Sequence, residues 1–296
     1  MNERKFTQDS LLAFFKELYR IWITERPGPL AASLAYYGIF SIIPVTYIAV
    51  TIASFFIDAS ATINQLIALI EAVLGPEVAE MIQESVAALA ERTHQGSTLT
   101  SVISFVILLF TASLIFFQLQ YVLNNVWRVP PPSRDGTRAF VKNRLLAFVM
   151  VLGVGPLLIL ASMISIIVSF FSSILGIEGA VVVFTLITYL GLATLSLAVI
   201  YKFLPNAEIA WRDVWIGSLV TAIMITVAIY LFVLYLSITK ITSPLEAAGS
   251  AAVFLIAFYF LAQIFVMGAV VTRVYASMFG SKIVPNEDLS SQHKDS

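Results

Sequence analysis

A chain of 296 residues with 59% hydrophobic and 12% charged side chains is too apolar for an ordinary soluble domain, where about 25% of residues are charged; the surplus needs lipid as its solvent. The net charge of −1 says little, because in membrane proteins the placement of charge outweighs its sum. With no cysteine, disulfides, thiol catalysis, zinc fingers and iron–sulfur clusters are excluded.

Residues 9–24 read as an amphipathic helix capped by Asp9 or Ser10, with Leu11, Phe14, Phe15, Leu18 and Trp22 on one face and Lys16, Glu17 and Arg20 elsewhere. That pattern suits a helix lying in the membrane interface. Pro27 and Pro29 stop it and start the first span, Leu30 to Ile57, a run of 28 residues without a charge. The run is long enough to cross a hydrocarbon core of roughly 30 Å with some tilt. It is also far longer than the apolar core of a cleavable signal, so the span is expected to be retained. Pro44 sits mid-span, where it removes a backbone donor and predicts a kink. Ser33, Tyr37 and Ser41 follow at i, i+4 and i+8, a hydroxyl stripe expected to face other helices or a cavity, since lipid would not satisfy it.

Residues 62–74 and 76–92 read as two amphipathic helices broken at Gly75-Pro76, neither apolar enough to span. In the second, Glu77, Glu80, Glu84 and Glu91 oppose a stripe of Val78, Met81, Ile82, Val86 and Leu89, and the acidic side reads first as a solvated face. The second span, about 99–123, ends in a polar cluster of Gln118, Gln120, Asn124, Asn125 and Trp127. Pro130-Pro131-Pro132 and a basic stretch through Arg134, Arg138, Lys142 and Arg144 follow, better explained by topology and lipid phosphate than by nucleic acid.

The third span, about 145–175, presents Ser162, Ser165, Ser169 and Ser172 as a second hydroxyl stripe. The fourth covers about 180–200, followed by a short connection through Leu204-Pro205-Asn206. The fifth, about 214–237, offers Gly217-x-x-x-Thr221 as a close-packing face. The sixth, about 247–275, opens with small residues after Ser243-Pro244-x-Glu246, which has capping-box spacing. The polar tail, 281–296, is expected to be disordered.

Arg4, Lys5, Lys16, Arg20 and Arg26, the five cations from Arg128 to Arg144, Lys202, Arg212, Arg273, Lys282 and Lys294 all fall on one side of this scheme, leaving Arg92 and Lys240 on the other. The positive-inside rule places the first set in the cytoplasm. The expected fold is therefore an all-α integral membrane protein of six spans with both termini inside, and with an extracytoplasmic helical segment, 58–98, between the first and second spans. The spans as drawn carry no ionisable residue between their ends, and no metal-ligand cluster, P-loop or acid–base pair accompanies them, so neither an enzyme nor a cofactor is expected.

AYYGIFSIIP at 35–44, Asn125-x-Trp127, Arg144-Leu145, Tyr201-x-x-Leu204-Pro205-Asn206 with Trp211, Gly217 and Gly268-Ala269, in this order and spacing, resemble the YihY/virulence factor BrkB family of bacterial inner-membrane proteins, some of which carry the older label ribonuclease BN. The resemblance covers about residues 10–280 and implies six spans with cytoplasmic termini. Family members often follow the last Gly-Ala with an acid, whereas here Val270 and Val271 stand. Three functions stay open. The first is a transporter or translocation partner for a hydrophobic or amphiphilic substrate such as a lipid. In it Ser33, Tyr37, Ser41, Pro44, Ser162, Ser165 and Ser169 mark the path, while Asn125, Arg144 and Asn206 form a cytoplasmic rim that holds a headgroup. The second is a Na⁺ or K⁺/H⁺ antiporter using unwound backbone near Pro44. The third is a scaffold that docks an envelope partner through 62–92. Membrane lipids are expected partners, nucleic acid is not, and a homo-oligomer stays open.

Overall fold

A computed structural model describes residues 8–53, 55–56, 63–64, 66–68, 70–71, 76–95, 98–129, 144–153, 156–157, 159–160, 163–164, 167–168, 170, 178–239, 246–281 and 283–285. Within them the chain is nearly all helical: α1 Gln8–Glu25, α2 Gly28–Ala53, α3 Pro76–Gln95, α4 Thr98–Val126, α5 Arg144–Gly153, α6 Glu178–Phe203, α7 Trp211–Thr239 and α8 Glu246–Met278. Five of these, α2, α4, α6, α7 and α8, are long and apolar enough to cross a membrane. The expected third span is described only in pieces; its start is the short apolar helix α5.

The spanning helices pack in the order α4, α2, α8, α7, α6. The two central ones, α2 and α8, have 50% of their apolar stretch buried, against 22% for α4, α6 and α7. The difference follows from position: the flanking helices turn Val106, Phe117, Ile187, Val227 and Tyr230 outward, a surface that lipid solvates and water does not. One end of the bundle gathers Arg20, Arg26, Arg128, Lys202, Arg212 and Arg273, and is called the basic end below. At the other end α3 lies against α2, α4 and α8. It buries Ala79, Ile82 and Val86 and exposes Glu80, Glu84 and Glu91, the amphipathic division read from the sequence except that Met81, expected in the apolar stripe, is exposed. Burial of Ile82 contributes about 1.5–3 kcal/mol to that docking.

Helix α1 differs from its expected single apolar face. Ile21 is buried, Leu18 packs on the core and the Phe14 ring meets Phe279 at 6.5 Å, while Leu12, Phe15, Tyr19 and Ile23 are exposed on the far side. Arg20 pairs with Glu17 on the same helix, and that hydrogen bond and charge raise the arginine's pKa. The helix stops at Arg26, whose φ of 44° is left-handed, and α2 begins with the Pro27 carbonyl accepting from Ala31 N (2.9 Å).

At the basic end α4 closes with a Schellman turn. Val129 N donates to Asn124 O (2.9 Å) and Arg128 N to Asn125 O (3.1 Å), with Arg128 at φ 55° in the place usually given to glycine. The tail expectation needs one correction. Val284–Pro285 is a strand, paired antiparallel with Ala207–Glu208 in the α6–α7 connection, Ala207 opposite Pro285 and Glu208 opposite Val284. The bend at Leu204-Pro205-Asn206 leaves that short backbone edge unpaired, and the segment after α8 supplies its partner. Residues 286–296 lie outside the described set.

Candidate functional site

The hydroxyl stripe of α2 turns inward. Ser33 Oγ donates to Leu30 O (2.8 Å) and accepts from Gln118 Nε2 on α4 (2.7 Å). Two turns on, Ser41 is fully buried and its Oγ reaches Thr111 O across the same interface (3.3 Å). Tyr37 lies between them, half-buried, with its ring edge-on to Tyr36 at 5.5 Å. Pro44 is buried inside an α2 that continues past it to Ala53. It has no N–H to offer the Phe40 carbonyl, yet no break in the helix accompanies it. Ser162, Ser165 and Ser169 lie outside the described residues.

Beside this stripe, α2, α4 and α8 enclose a laterally open groove of about 330 Å³. Its walls are apolar: Leu34 and Ile42 on α2, Ile115 and Phe116 on α4, Phe258 and Leu261 on α8, with the Ser41 hydroxyl the one polar group among the lining side chains. Gly38 lines the groove, where a Cβ would stand 3.1 Å from the Phe258 ring.

The three rim residues are not brought together. Asn125 is exposed at the end of α4 and donates to Tyr121 O (2.8 Å). The neighbour Asn124 does the structural work there, its Oδ1 accepting from Asn206 N (2.9 Å). Arg144 is not at the rim. Its Nη2 donates to Phe110 O (3.0 Å), and its guanidinium lies 3.7 Å from the Phe110 ring centroid and 5.4 Å from that of Phe148. Phe110 stands 16 residues before Val126, roughly 24 Å along the helix, so a cation sits at membrane depth where the spans were read as free of formal charge. Charge counting along the sequence registers no depth.

Other polar groups cluster below the groove. Gln120 Nε2 donates to Leu204 O (2.7 Å), and Trp127 Nε1 to Ala269 O (2.9 Å). Tyr201, fully buried, donates to Phe265 O (3.0 Å) and shares a 3.3 Å contact with Thr221 Oγ1. The expected Gly217-x-x-x-Thr221 face meets a matching Gly268-x-x-x-Thr272 on α8. A Cβ at Gly217 would overlap the Thr272 hydroxyl, and one at Gly268 would overlap Thr221 and stand 2.7 Å from Tyr201 Oη. Asp213, buried in the first turn of α7, accepts from Ser281 N (2.9 Å) and Ser281 Oγ (3.0 Å), and Gly280 leaves room for that carboxylate. Glu25 bridges Arg128 (2.6 Å) and Arg273 (3.3 Å), and Arg273 also donates to Val126 O (2.7 Å). Among the described residues no His, Asp or Glu cluster could hold a metal ion.

The chain is similar to several curated proteins, each called UPF0761 membrane protein. One from Delftia acidovorans is 26% identical over 254 residues, 84% of this chain and 58% of its own length. Another from Verminephrobacter eiseniae is 27% identical over 269 residues, covering 86% and 60%. A third from Janthinobacterium is 26% identical and covers 91% and 61%. The chain thus spans about three-fifths of the length of these relatives. No solved structure matches it. The family described as Virulence factor BrkB matches residues 24–292, and with that stretch covering nearly all of the helical bundle, the chain belongs to the Virulence factor BrkB family of membrane proteins.

Proposed function

We propose that this membrane protein carries, or hands to a partner, an amphiphilic substrate whose apolar part lies in the groove between α2, α4 and α8. The observation that supports the reading is the groove itself: about 330 Å³, apolar on every wall but one hydroxyl, and open to the side. That volume falls in the range of about 300–1,000 Å³ typical of small-molecule sites. An acyl chain can enter from the surrounding lipid without desolvating a polar group, while a hydrophilic solute would find nothing to pair with. Ser41 and Ser33 are held by α4, so they shape the wall and hold the two helices together. We place the basic end in the cytoplasm, in a bacterial inner membrane, because juxtamembrane arginine and lysine are retained on that side.

A photoreactive acyl probe tests this. Protein reconstituted in nanodiscs with a diazirine-bearing phospholipid is expected to take label at Leu34, Ile42, Phe258 and Leu261. Leu261→Trp and Ile42→Trp, which fill the groove, are expected to cut that labelling several-fold and to slow lipid movement in liposomes. Label spread evenly over the lipid-facing sides of α4, α6 and α7, or unchanged by both tryptophans, rejects the reading.

A further inference from the structure

Arg144 is placed where a guanidinium is costly. The Phe110 carbonyl that it contacts lies about 12 Å along the helix from Val102 and about 24 Å from Val126, the two ends of α4's apolar stretch. Charged groups at such depth face a cavity or a partner, since hydrocarbon supplies neither water nor counter-charge. The helices supply no counter-charge here either. Apart from Asp135 in the connection before α5, the chain has no acid from Arg92 to Ile177, and none from Gly28 to Ile57. One donor of the fork is used, on Phe110 O, and that carbonyl is already shared with the Ser113 hydroxyl (2.7 Å). The buried Nε has no partner among the described residues. The guanidinium carbon lies near the Phe110 and Phe148 ring centroids, and among the described residues several of its five N–H groups are left unspent.

We propose that Arg144 binds an oxyanion, phosphate or carboxylate, at membrane depth, and that the substrate of this protein is therefore an anionic amphiphile. This rests in part on the groove reading above, because the oxyanion is taken to arrive on an acyl chain. Thr111, the α4 residue after Phe110, accepts the Ser41 hydroxyl on the groove side, so headgroup site and chain site lie at one level on two faces of α4. The planar fork accepts an oxyanion through two parallel hydrogen bonds, geometry that the point charge of lysine does not reproduce.

The experiment is a titration of the full chain in neutral-lipid nanodiscs, read by native mass spectrometry. The probes are dioleoylphosphatidylglycerol, oleate, inorganic phosphate and uncharged dioleoylglycerol. The wild-type chain is expected to prefer phosphatidylglycerol and oleate over dioleoylglycerol. Arg144→Gln should weaken both anions about tenfold or more while leaving dioleoylglycerol unchanged. Arg144→Lys keeps the charge without the fork and should fall between the two, which also guards against a fold defect in the glutamine variant. Displacement by inorganic phosphate assigns the site to the anion alone; failure to displace assigns it to the acylated anion. Equal binding of charged and uncharged lipids by the wild type, or wild-type anion binding in both Arg144 variants, overturns the proposal. The groove is read separately: Leu261→Trp weakens dioleoylglycerol and anions alike if the groove reading holds. If that variant changes nothing while Arg144→Gln still does, the groove reading falls and the anion site stands.

Discussion

Along one side, α8 meets α7 with no space to spare; along the other it faces α2 and α4 across an open groove. At the first contact Gly217 and Gly268 give up their side chains so that Thr272 and Thr221 can fill the space, and each threonine hydroxyl bonds back to the glycine carbonyl four residues earlier (2.7 and 2.8 Å). At the second, Gly38 gives up its side chain to the Phe258 ring, which lies 3.1 Å from where a Cβ would stand, and the groove opens beside that contact. The same residue type thus serves two ends. Lipid tails are as apolar as leucine, so helices in a membrane associate by close packing and hydrogen bonds; beside the groove the hydrogen bonds of Ser41 and Ser33 to α4 remain, while close packing gives way to open space.

The sharpest way to break this contrast is to put side chains on the glycines of the tight contact. Gly217→Leu or Gly268→Leu should cost about 3 kcal/mol or more by overpacking, seen as loss of monodisperse protein and a lower unfolding temperature in detergent. Gly217→Ala combined with Thr272→Ala should recover part of what Gly217→Ala loses, because the closest overlap is with that hydroxyl while the Thr272 Cβ stays 2.8 Å away; simple additivity would remove the interlock. Next in size, Trp127→Phe deletes the indole donor to Ala269 O and should cost about 1 kcal/mol in the same unfolding assay. On the groove side, Ser41→Ala should cost only about 0.6 kcal/mol, the size of an average interhelical hydrogen bond in a membrane. A cost equal to that of the glycine variants would erase the distinction between the two sides. The smallest effect belongs to the basic end: Glu25→Gln should change stability by no more than about 0.5 kcal/mol, since its partner Arg128 is largely exposed. It should still speed amide exchange in α1, which Glu25 ties to α4 and α8.

The long uncharged runs made the spanning helices legible, because a stretch that long has no other solvent than lipid. The division of α3 into acidic and apolar sides was legible for the same reason at helical period. The tight contact was half legible: Gly217-x-x-x-Thr221 announces a close approach, but its partner, Gly268-x-x-x-Thr272, is known only once the two helices are side by side. Ser33 and Ser41 showed that they needed partners without showing that Gln118 and Thr111 supply them. Arg144 misled most. Charge counting assigns a residue to a side of the membrane from its neighbours in sequence, whereas the depth of Arg144 shows only in its contact with Phe110 on α4. The inward fold of Val284–Pro285 was hidden too, since two residues carry no periodicity.

The strand pair between Ala207–Glu208 and Val284–Pro285 carries a mechanical consequence. With the Asp213 carboxylate holding Ser281 a few ångströms away, the backbone leaving α8 is stitched to the backbone entering α7. A pivot at that end would have to tear two backbone pairings and strip a carboxylate of its donors together. A change of shape at that end would therefore move α7 and α8 together, as one unit.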